Sequence, residues 1–221
     1  MSVAQQVFAL LLDLTNRARS LDGEVRKGRW TQEPGDCAWD YPLLCLDDKT
    51  FGVVGTGEIG CAAARIARGF GMRVLGFSRT KRKEFEGEYV SLDELLRQSD
   101  VVSLHCPANA ETTGMINREA IDQMKRGAIL INTARGALVK SFDLAEALNS
   151  GRLYAAGLDV AQTEPISMDD PLLNARYCLI TPHIGWAPLE MRKKLACLAA
   201  NNLKTFLQGG ILNRVDLEAK A

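Results

Sequence analysis

The stretch that most constrains this chain is FGVVGTGEIG, residues 51–60. An apolar run precedes the glycines, and AAARIARGF at residues 62–70 continues with helical period, which predicts a strand, a turn and a helix. In that context Gly55 permits the tight turn, Gly57 lets a pyrophosphate approach the backbone, and Gly60 lets the helix lie close to the strand. The unpaired N–H groups at the start of the helix suit phosphate. The segment predicts a dinucleotide site, and the alternative is a glycine-rich turn that binds no ligand.

Composition narrows the class of protein. The chain has 221 residues, 47% of them hydrophobic, which suits one sizeable domain or one domain with an appendage. Its 27 basic and 27 acidic residues balance, which argues against nucleic acid or an anionic membrane as a partner. We find no apolar run of membrane-spanning length and no signal-peptide pattern, so we expect a cytoplasmic protein. The six cysteines form no C-x-x-C pair, which predicts reduced thiols and no metal site.

The order of predicted elements indicates the fold. Residues 2–20 predict a helix that is apolar on most sides and is therefore buried in a core or a subunit contact. A long irregular connection follows, at residues 21–48, and its aromatic residues suggest a functional or interfacial role. Strands are predicted at 51–54, 73–77, 100–105, 128–132, 155–160 and 178–180, and helices at 62–70, 92–98, 117–124, 142–149 and 189–207, with Ser91, Asn117 and Ser141 as caps. This alternation predicts an α/β fold, a doubly wound parallel sheet with helices on both faces.

Ligands of such sheets bind beyond the carboxyl ends of the strands, so the residues after each strand are the informative ones. The second strand is followed by Ser78, Arg79 and Thr80, where an NAD site usually has an acidic residue for the ribose 2′-hydroxyl. A guanidinium flanked by hydroxyls suits a 2′-phosphate instead. The sequence therefore predicts NADP as the cofactor, and the alternative is a solvated basic loop that also accepts NAD.

Ionisable residues follow four other strands. The only two histidines, His105 and His183, each end a strand, and histidine is the side chain best suited to proton transfer near neutral pH. Arg135 can hold a carboxylate in a bidentate grip, and Glu164 can orient a histidine. The alternatives are a structural histidine, a surface arginine and a solvated glutamate.

Taken together, the motifs SVAQQVFALLL, GTGEIG, SDVVSLHCP, INTARGALV, GLDVAQTEP and TPHIGW resemble the D-2-hydroxyacid dehydrogenase family, of the glycerate dehydrogenase/hydroxypyruvate reductase sort. The resemblance covers essentially the whole chain. It implies a Rossmann-type coenzyme domain, and it implies hydride transfer between a nicotinamide cofactor and a D-2-hydroxy or 2-oxo acid such as glycerate, hydroxypyruvate or glyoxylate.

The resemblance also assigns roles. The family's catalytic residues fall on Arg135, which would hold the substrate carboxylate, on His183, the acid and base, and on Glu164, which would orient His183 and raise its pKa. The implied cofactor-binding set comprises Gly55, Thr56, Gly57, Glu58, Ile59 and Gly60 at the pyrophosphate; Ser78, Arg79 and Thr80 at the adenosine ribose; His105, Cys106, Pro107 and Thr112 beside them; and Thr133, Ala134, Arg135, Asp159, His183 and Gly185 toward the nicotinamide.

The sequence departs from the family pattern in one respect. Family members carry an N-terminal substrate-binding domain before the segment that matches Ser2 onward, and we expect this sequence to lack that domain. We therefore expect residues 1–188 to form the coenzyme-binding domain, and residues 189–221 to carry a helix that in the family packs on the substrate domain, through Leu195, Leu198 and Leu203. By resemblance we expect a homodimer, with residues 2–20 and 21–48 at the contact. Two alternatives remain, a dinucleotide-binding fragment without turnover and a corepressor-like protein that senses dinucleotide and recruits partners.

Overall fold

The computed structural model describes residues 1–32 and 42–213. Its centre is a seven-stranded parallel sheet in the order β3-β2-β1-β4-β5-β6-β7. The strands are β1 (Thr50–Val54), β2 (Arg73–Phe77), β3 (Glu88–Tyr89), β4 (Val101–Leu104), β5 (Ile129–Asn132), β6 (Ala155–Leu158) and β7 (Cys178–Ile180). The order reverses between β1 and β4, so the predicted doubly wound parallel sheet is confirmed. The two-residue edge strand β3 was not predicted.

Eight helices accompany the sheet in the described part of the chain. They are α1 (Ser2–Asn16), α2 (Ala18–Arg26), α3 (Arg29–Gln32), α4 (Glu58–Gly69), α5 (Leu92–Gln98), α6 (Arg118–Gln123), α7 (Ser141–Asn149) and α8 (Leu189–Leu207). Ser91 and Asn117 cap α5 and α6 as predicted, accepting hydrogen bonds from the N–H groups of Glu94 and Ala120.

The structure corrects three local predictions. The first helix ends at Asn16 and not at residue 20, because Arg17 adopts a left-handed conformation with φ of 51°. The predicted irregular connection begins as the helices α2 and α3, and Trp39 and Tyr41 lie outside the described residues. Ser141 is the first residue of α7 and not its cap, since Lys140 holds that position and the Ser141 hydroxyl bonds to the side chain of Gln162 instead.

Alternate residues of the strands enter two cores, one on each face of the sheet. Phe51 and Val53 of β1 lie in the core with α1 and α4, where the ring of Phe8 stacks on Phe51 at 5.6 Å between centroids. Val54 lies in the other core, with α5, α6 and α7. Burial on both faces explains why these strands are continuous apolar runs and why α1 is apolar on most sides.

Two compact units are distinguished. The first contains residues 3–185 and all seven strands, and the second begins at Trp186 and holds α8. Leu195, Leu198 and Leu203 of α8 are exposed, and their packing on a substrate domain stays a prediction.

Within the described residues, no helix combines the length and the apolar character needed to cross a bilayer. The same residues contain no cluster of three or more histidine, cysteine or acidic side chains suited to a metal ion.

Candidate functional site

The glycine turn after β1 is shaped by backbone contacts. Gly55 has φ of 100°, and a Cβ there would lie 2.7 Å from the backbone of His105, so only glycine fits. A Cβ at Gly60 would lie 2.1 Å from the carbonyl oxygen of Gly55. A Cβ at Gly57, by contrast, meets no atom within 4 Å. The turn therefore leaves open space beside Gly57, at the start of α4. The first N–H groups of an α-helix have no hydrogen-bond partner within the helix, so they are available to a ligand in that space.

A cleft of about 440 Å³ lies at the point where the strand order reverses. It is lined by residues after β1, β2 and β4, the edge of the sheet at which this fold binds ligands. The structure brings together here ten of the residues assigned to cofactor binding: Gly55, Thr56, Gly57, Ser78, Arg79, Thr80, His105, Cys106, Pro107 and Thr112. Glu58, Ile59 and Gly60 do not line it and form the first turn of α4.

The far end of this cleft is basic. Arg79 and Arg82 line it together with the hydroxyls of Ser78 and Thr80. Glu111, which sequence reasoning did not identify, lines the opposite side, and its Oε2 lies 3.6 Å from Arg79 Nη1. The cleft thus presents two guanidinium groups, and one carboxylate already pairs with Arg79.

The loop after β4 that presents Glu111 is fixed by Asn109. Its Oδ1 accepts hydrogen bonds from the N–H groups of Glu111 and Thr112 at 2.9 and 3.0 Å. The Thr112 hydroxyl donates to the carbonyl oxygen of Pro107 at 2.6 Å. The sequence of this loop, ANAETT at residues 108–113, contains no motif that predicts these hydrogen bonds.

His105 differs in character from His183. Its Nε2 lies 2.9 Å from Ser103 Oγ, and burial lowers the pKa of His105 to about 4. His105 is therefore neutral at pH 7 and adds no charge to the cleft. Of the two histidines it is the one unsuited to giving a proton near neutral pH.

His183 and Glu164 form a hydrogen-bonded pair at the same edge of the sheet. His183 Nδ1 lies 2.7 Å from Glu164 Oε2, and the other oxygen of Glu164 accepts the Ala161 N–H at 3.0 Å. Burial acts to raise the pKa of Glu164, but the hydrogen bonds from His183 and Ala161 and the charges of His183 and Arg135 together hold that pKa below its usual range. Glu164 is therefore a carboxylate at neutral pH that fixes one ring nitrogen of His183 and leaves Nε2 for chemistry.

Arg135 lies on the turn after β5. This turn is held by Asn132, whose side chain donates to the Arg135 carbonyl oxygen and accepts from the Ala134 N–H at 2.9 and 3.1 Å. The guanidinium is exposed and donates to the neighbouring Ala134 carbonyl oxygen at 2.6 Å. Thr133 Oγ1 is buried without a hydrogen-bond partner in the described structure. A buried hydroxyl of this kind fits a polar ligand group, as expected beside a nicotinamide.

Asp159 is almost completely buried and supports the His183 turn. Its Oδ1 accepts from the Thr181 hydroxyl and the Ile184 N–H, and its Oδ2 accepts from the Gly185 N–H at 2.8 Å. Sequence reasoning assigned Asp159 and Gly185 to the cofactor, whereas in the chain they bond to each other. Their contact with a nicotinamide stays a prediction.

A second cavity, of about 650 Å³, lies beside the His183–Glu164 pair. Its other walls are mainly apolar, and they include Pro165, Ile166 and Ile180. The pair thus borders a largely apolar cavity on one side, while both side chains are partly exposed to solvent.

Comparison with known proteins identifies relatives of this chain. The chain is 50% identical over 218 residues to a hydroxypyruvate reductase of Blautia hydrogenotrophica, a match that covers 97% of this chain and 68% of that protein. It is 43% identical to a glyoxylate reductase of Korarchaeum cryptofilum, covering 95% of this chain and 64% of that protein. The chain thus spans about two thirds of the length of these relatives.

A solved structure shows the same fold. The crystal structure of the TT0316 protein from Thermus thermophilus superposes with a TM-score of 0.87 at 42% identity, covering 96% of this chain and 67% of that one. The sequence profile of the D-isomer specific 2-hydroxyacid dehydrogenase NAD binding domain matches residues 8–185. These residues include the glycine turn, the basic segment after β2 and the His183–Glu164 pair. The chain therefore belongs to the D-isomer specific 2-hydroxyacid dehydrogenases and contains the domain of that family that binds the nicotinamide dinucleotide.

Proposed function

We propose that this chain is an oxidoreductase domain. It transfers hydride between a nicotinamide cofactor and a D-2-hydroxy or 2-oxo acid of the glycerate/hydroxypyruvate or glyoxylate type. The observation that carries the proposal is the His183–Glu164 hydrogen bond of 2.7 Å at the sheet edge that also bears the glycine turn. The names of the two relatives, hydroxypyruvate reductase and glyoxylate reductase, support the substrate class.

Each ionisable residue has a distinct task in this proposal. The bound dinucleotide supplies or accepts the hydride. Protonated His183 gives its Nε2 proton to the oxygen of the carbonyl group being reduced, and in the other direction neutral His183 takes the hydroxyl proton. Glu164 accepts the Nδ1–H and thereby orients the imidazole ring. Arg135 holds the substrate carboxylate through its exposed guanidinium.

The residues fit a dinucleotide. Gly57 borders open space where a pyrophosphate can approach the backbone, and the partnerless Thr133 hydroxyl is available to a polar group of the nicotinamide. Arg79, Ser78 and Thr80 favour NADP over NAD, because a guanidinium and two hydroxyls match a 2′-phosphate. NADP is therefore the proposed cofactor, with NAD as the alternative.

The direct test is loss of reduced-nicotinamide absorbance with hydroxypyruvate or glyoxylate, with NADPH beside NADH. We expect faster turnover with NADPH, and we expect His183→Gln to lower kcat by about 10²- to 10⁴-fold. Ser150→Ala, just after α7, is the control for handling and folding. Intact turnover in the His183 variant would refute the proposed role of His183.

A second outcome tests the binding-only alternative. If the wild-type chain binds NADPH by fluorescence but turns over neither acid, the chain is a coenzyme-binding module whose chemistry requires residues outside this sequence. The share of the relatives' length that the chain spans is the observation that favours this alternative.

We also propose a homodimer in the cytoplasm. The proposed contact comprises residues 2–20 and 21–48, and the exposed side chains of Val25 on α2 and Trp30 on α3 lie in the second of these ranges. Light scattering after gel filtration tests this, and a monomer at micromolar concentration would contradict it.

A further inference from the structure

A chain of polar contacts runs beneath the His183 turn and reaches α1. Gln6 Nε2 donates to Thr181 Oγ1 at 3.0 Å, and Thr181 Oγ1 donates to Asp159 Oδ1 at 2.5 Å. Asp159 then accepts the N–H groups of Ile184 and Gly185, at 3.0 and 2.8 Å. The Thr181 hydroxyl thereby joins a helix to both N–H groups that follow His183.

The turn needs this support because of its backbone conformation. His183 has φ of 54°, a left-handed conformation that residues other than glycine adopt uncommonly and at some cost. The His183 N–H donates to the Thr181 carbonyl oxygen at 2.9 Å. Asp159 accepts the N–H groups of the two residues that follow His183. Surrounding contacts of this kind keep a strained turn in one conformation.

Packing at Gly185 tightens the same arrangement. A Cβ there would lie 3.0 Å from Asp159 Oδ2 and 3.4 Å from Gln6 Cβ. Gln6 therefore lies beside the turn at two points: its amide bonds to Thr181, and its aliphatic carbons border the space that a side chain at Gly185 would occupy.

We propose that Thr181 and Gln6 are positioning residues that hold His183 in the geometry of its hydrogen bond to Glu164. This rests on the function proposed above only in giving His183 a catalytic role. Both residues act through Asp159 and the backbone. Removal of the Thr181 hydroxyl leaves a buried carboxylate oxygen short of a donor, and the turn is then free to move.

The tautomer of His183 reports this geometry without requiring turnover. Glu164 Oε2 at 2.7 Å holds the proton of neutral His183 on Nδ1. Because the chain has only two histidines, ¹⁵N NMR of the imidazole rings separates His183 from His105, and Glu164→Ala, which removes the acceptor, gives the reference for a broken pair. We expect Thr181→Val to lower the ratio of Nδ1–H to Nε2–H tautomers of His183 by about fivefold, the factor for losing one hydrogen bond.

Matched variants separate positioning from general damage. Thr181→Ser keeps the hydroxyl and should restore the wild-type ratio, whereas Ser150→Ala removes an exposed hydroxyl just after α7 and should leave the ratio unchanged. Gln6→Met keeps the length of the side chain but removes the amide, and it should lower the ratio in the same direction; it decides the question if Thr181→Val does not fold. An unchanged ratio in both folded variants would overturn the proposal.

Affinity for NADPH and NADH, measured on the same samples, keeps the two proposals apart. Failure of the wild-type chain to bind either dinucleotide refutes the proposed function but leaves the tautomer result intact. An unchanged tautomer ratio refutes the positioning role even if the chain binds and turns over.

Discussion

The glycine turn after β1 and the His183 turn after β7 lie at the same edge of one sheet, yet they are held by different forces. Backbone atoms shape the glycine turn: added side-chain atoms at Gly55 and Gly60 would clash with main chain. Side-chain hydrogen bonds shape the His183 turn, from Glu164, Asp159 and Thr181. Steric fit leaves a short signature in local sequence, whereas a hydrogen-bond network joins residues far apart in the chain.

The largest effect that tests this comparison is expected at the glycines. Gly60→Ala places a Cβ 2.1 Å from the Gly55 carbonyl oxygen, so we expect lower stability and a loss of NADPH affinity of about 100-fold or more. Gly57→Ala meets no protein atom within 4 Å, so we expect wild-type stability and weakened binding alone, by about tenfold or more. Thermal unfolding and fluorescence titration measure both. Equal loss of stability in the two variants would show that backbone sterics do not distinguish these positions.

A second test concerns His105, whose pKa is set by burial and whose ring bonds only to Ser103 of its own strand. Its pKa is about 4 when folded and about 6.5 when unfolded, so the unfolded chain binds more protons between these values and acid favours unfolding. His105 should therefore lower the free energy of unfolding by roughly 2 kcal/mol between pH 7 and pH 5. Urea unfolding of the wild type and of His105→Gln at both values measures this. The variant should lose less stability on acidification, and parallel losses would show that His105 titrates normally.

The smallest effect is expected at Glu111. Its carboxylate pairs with Arg79 across the cleft, so it competes with a 2′-phosphate for that guanidinium. Both groups are largely exposed and screened by solvent, so we expect Glu111→Gln to tighten NADPH by only about two- to fivefold and to leave NADH unchanged. Calorimetric titration with the two cofactors, with Arg79→Gln beside it, measures the difference. Weaker NADPH binding would mean that Glu111 orients Arg79 and does not compete.

The sequence predicted what local chemistry determines. The strand, turn and helix at residues 51–60, the continuous apolar strands and the caps at Ser91 and Asn117 are each specified within a few residues. The pairing of Glu164 with His183 could be expected only from the family resemblance.

The rest depends on contacts between distant segments. Gln6 and Thr181 lie 175 positions apart, and neither carries a motif that announces their bond. Arg17 ends α1 early through a left-handed residue, and Ser141 bonds to Gln162 in preference to capping α7. The bonds of Gln6 and Ser141 depend on tertiary partners, and single-sequence propensity does not contain those partners.

The Gln6–Thr181 hydrogen bond also bears on the order of folding. Contacts that close long loops form against a large entropy cost, which makes them late events relative to local helices and adjacent strands. The bond joins the first helix to the residue after the last strand, so it closes a loop that contains the whole sheet. We therefore expect the His183 turn to be the last part of the domain to order on refolding, and catalytic competence to lag behind the recovery of secondary structure.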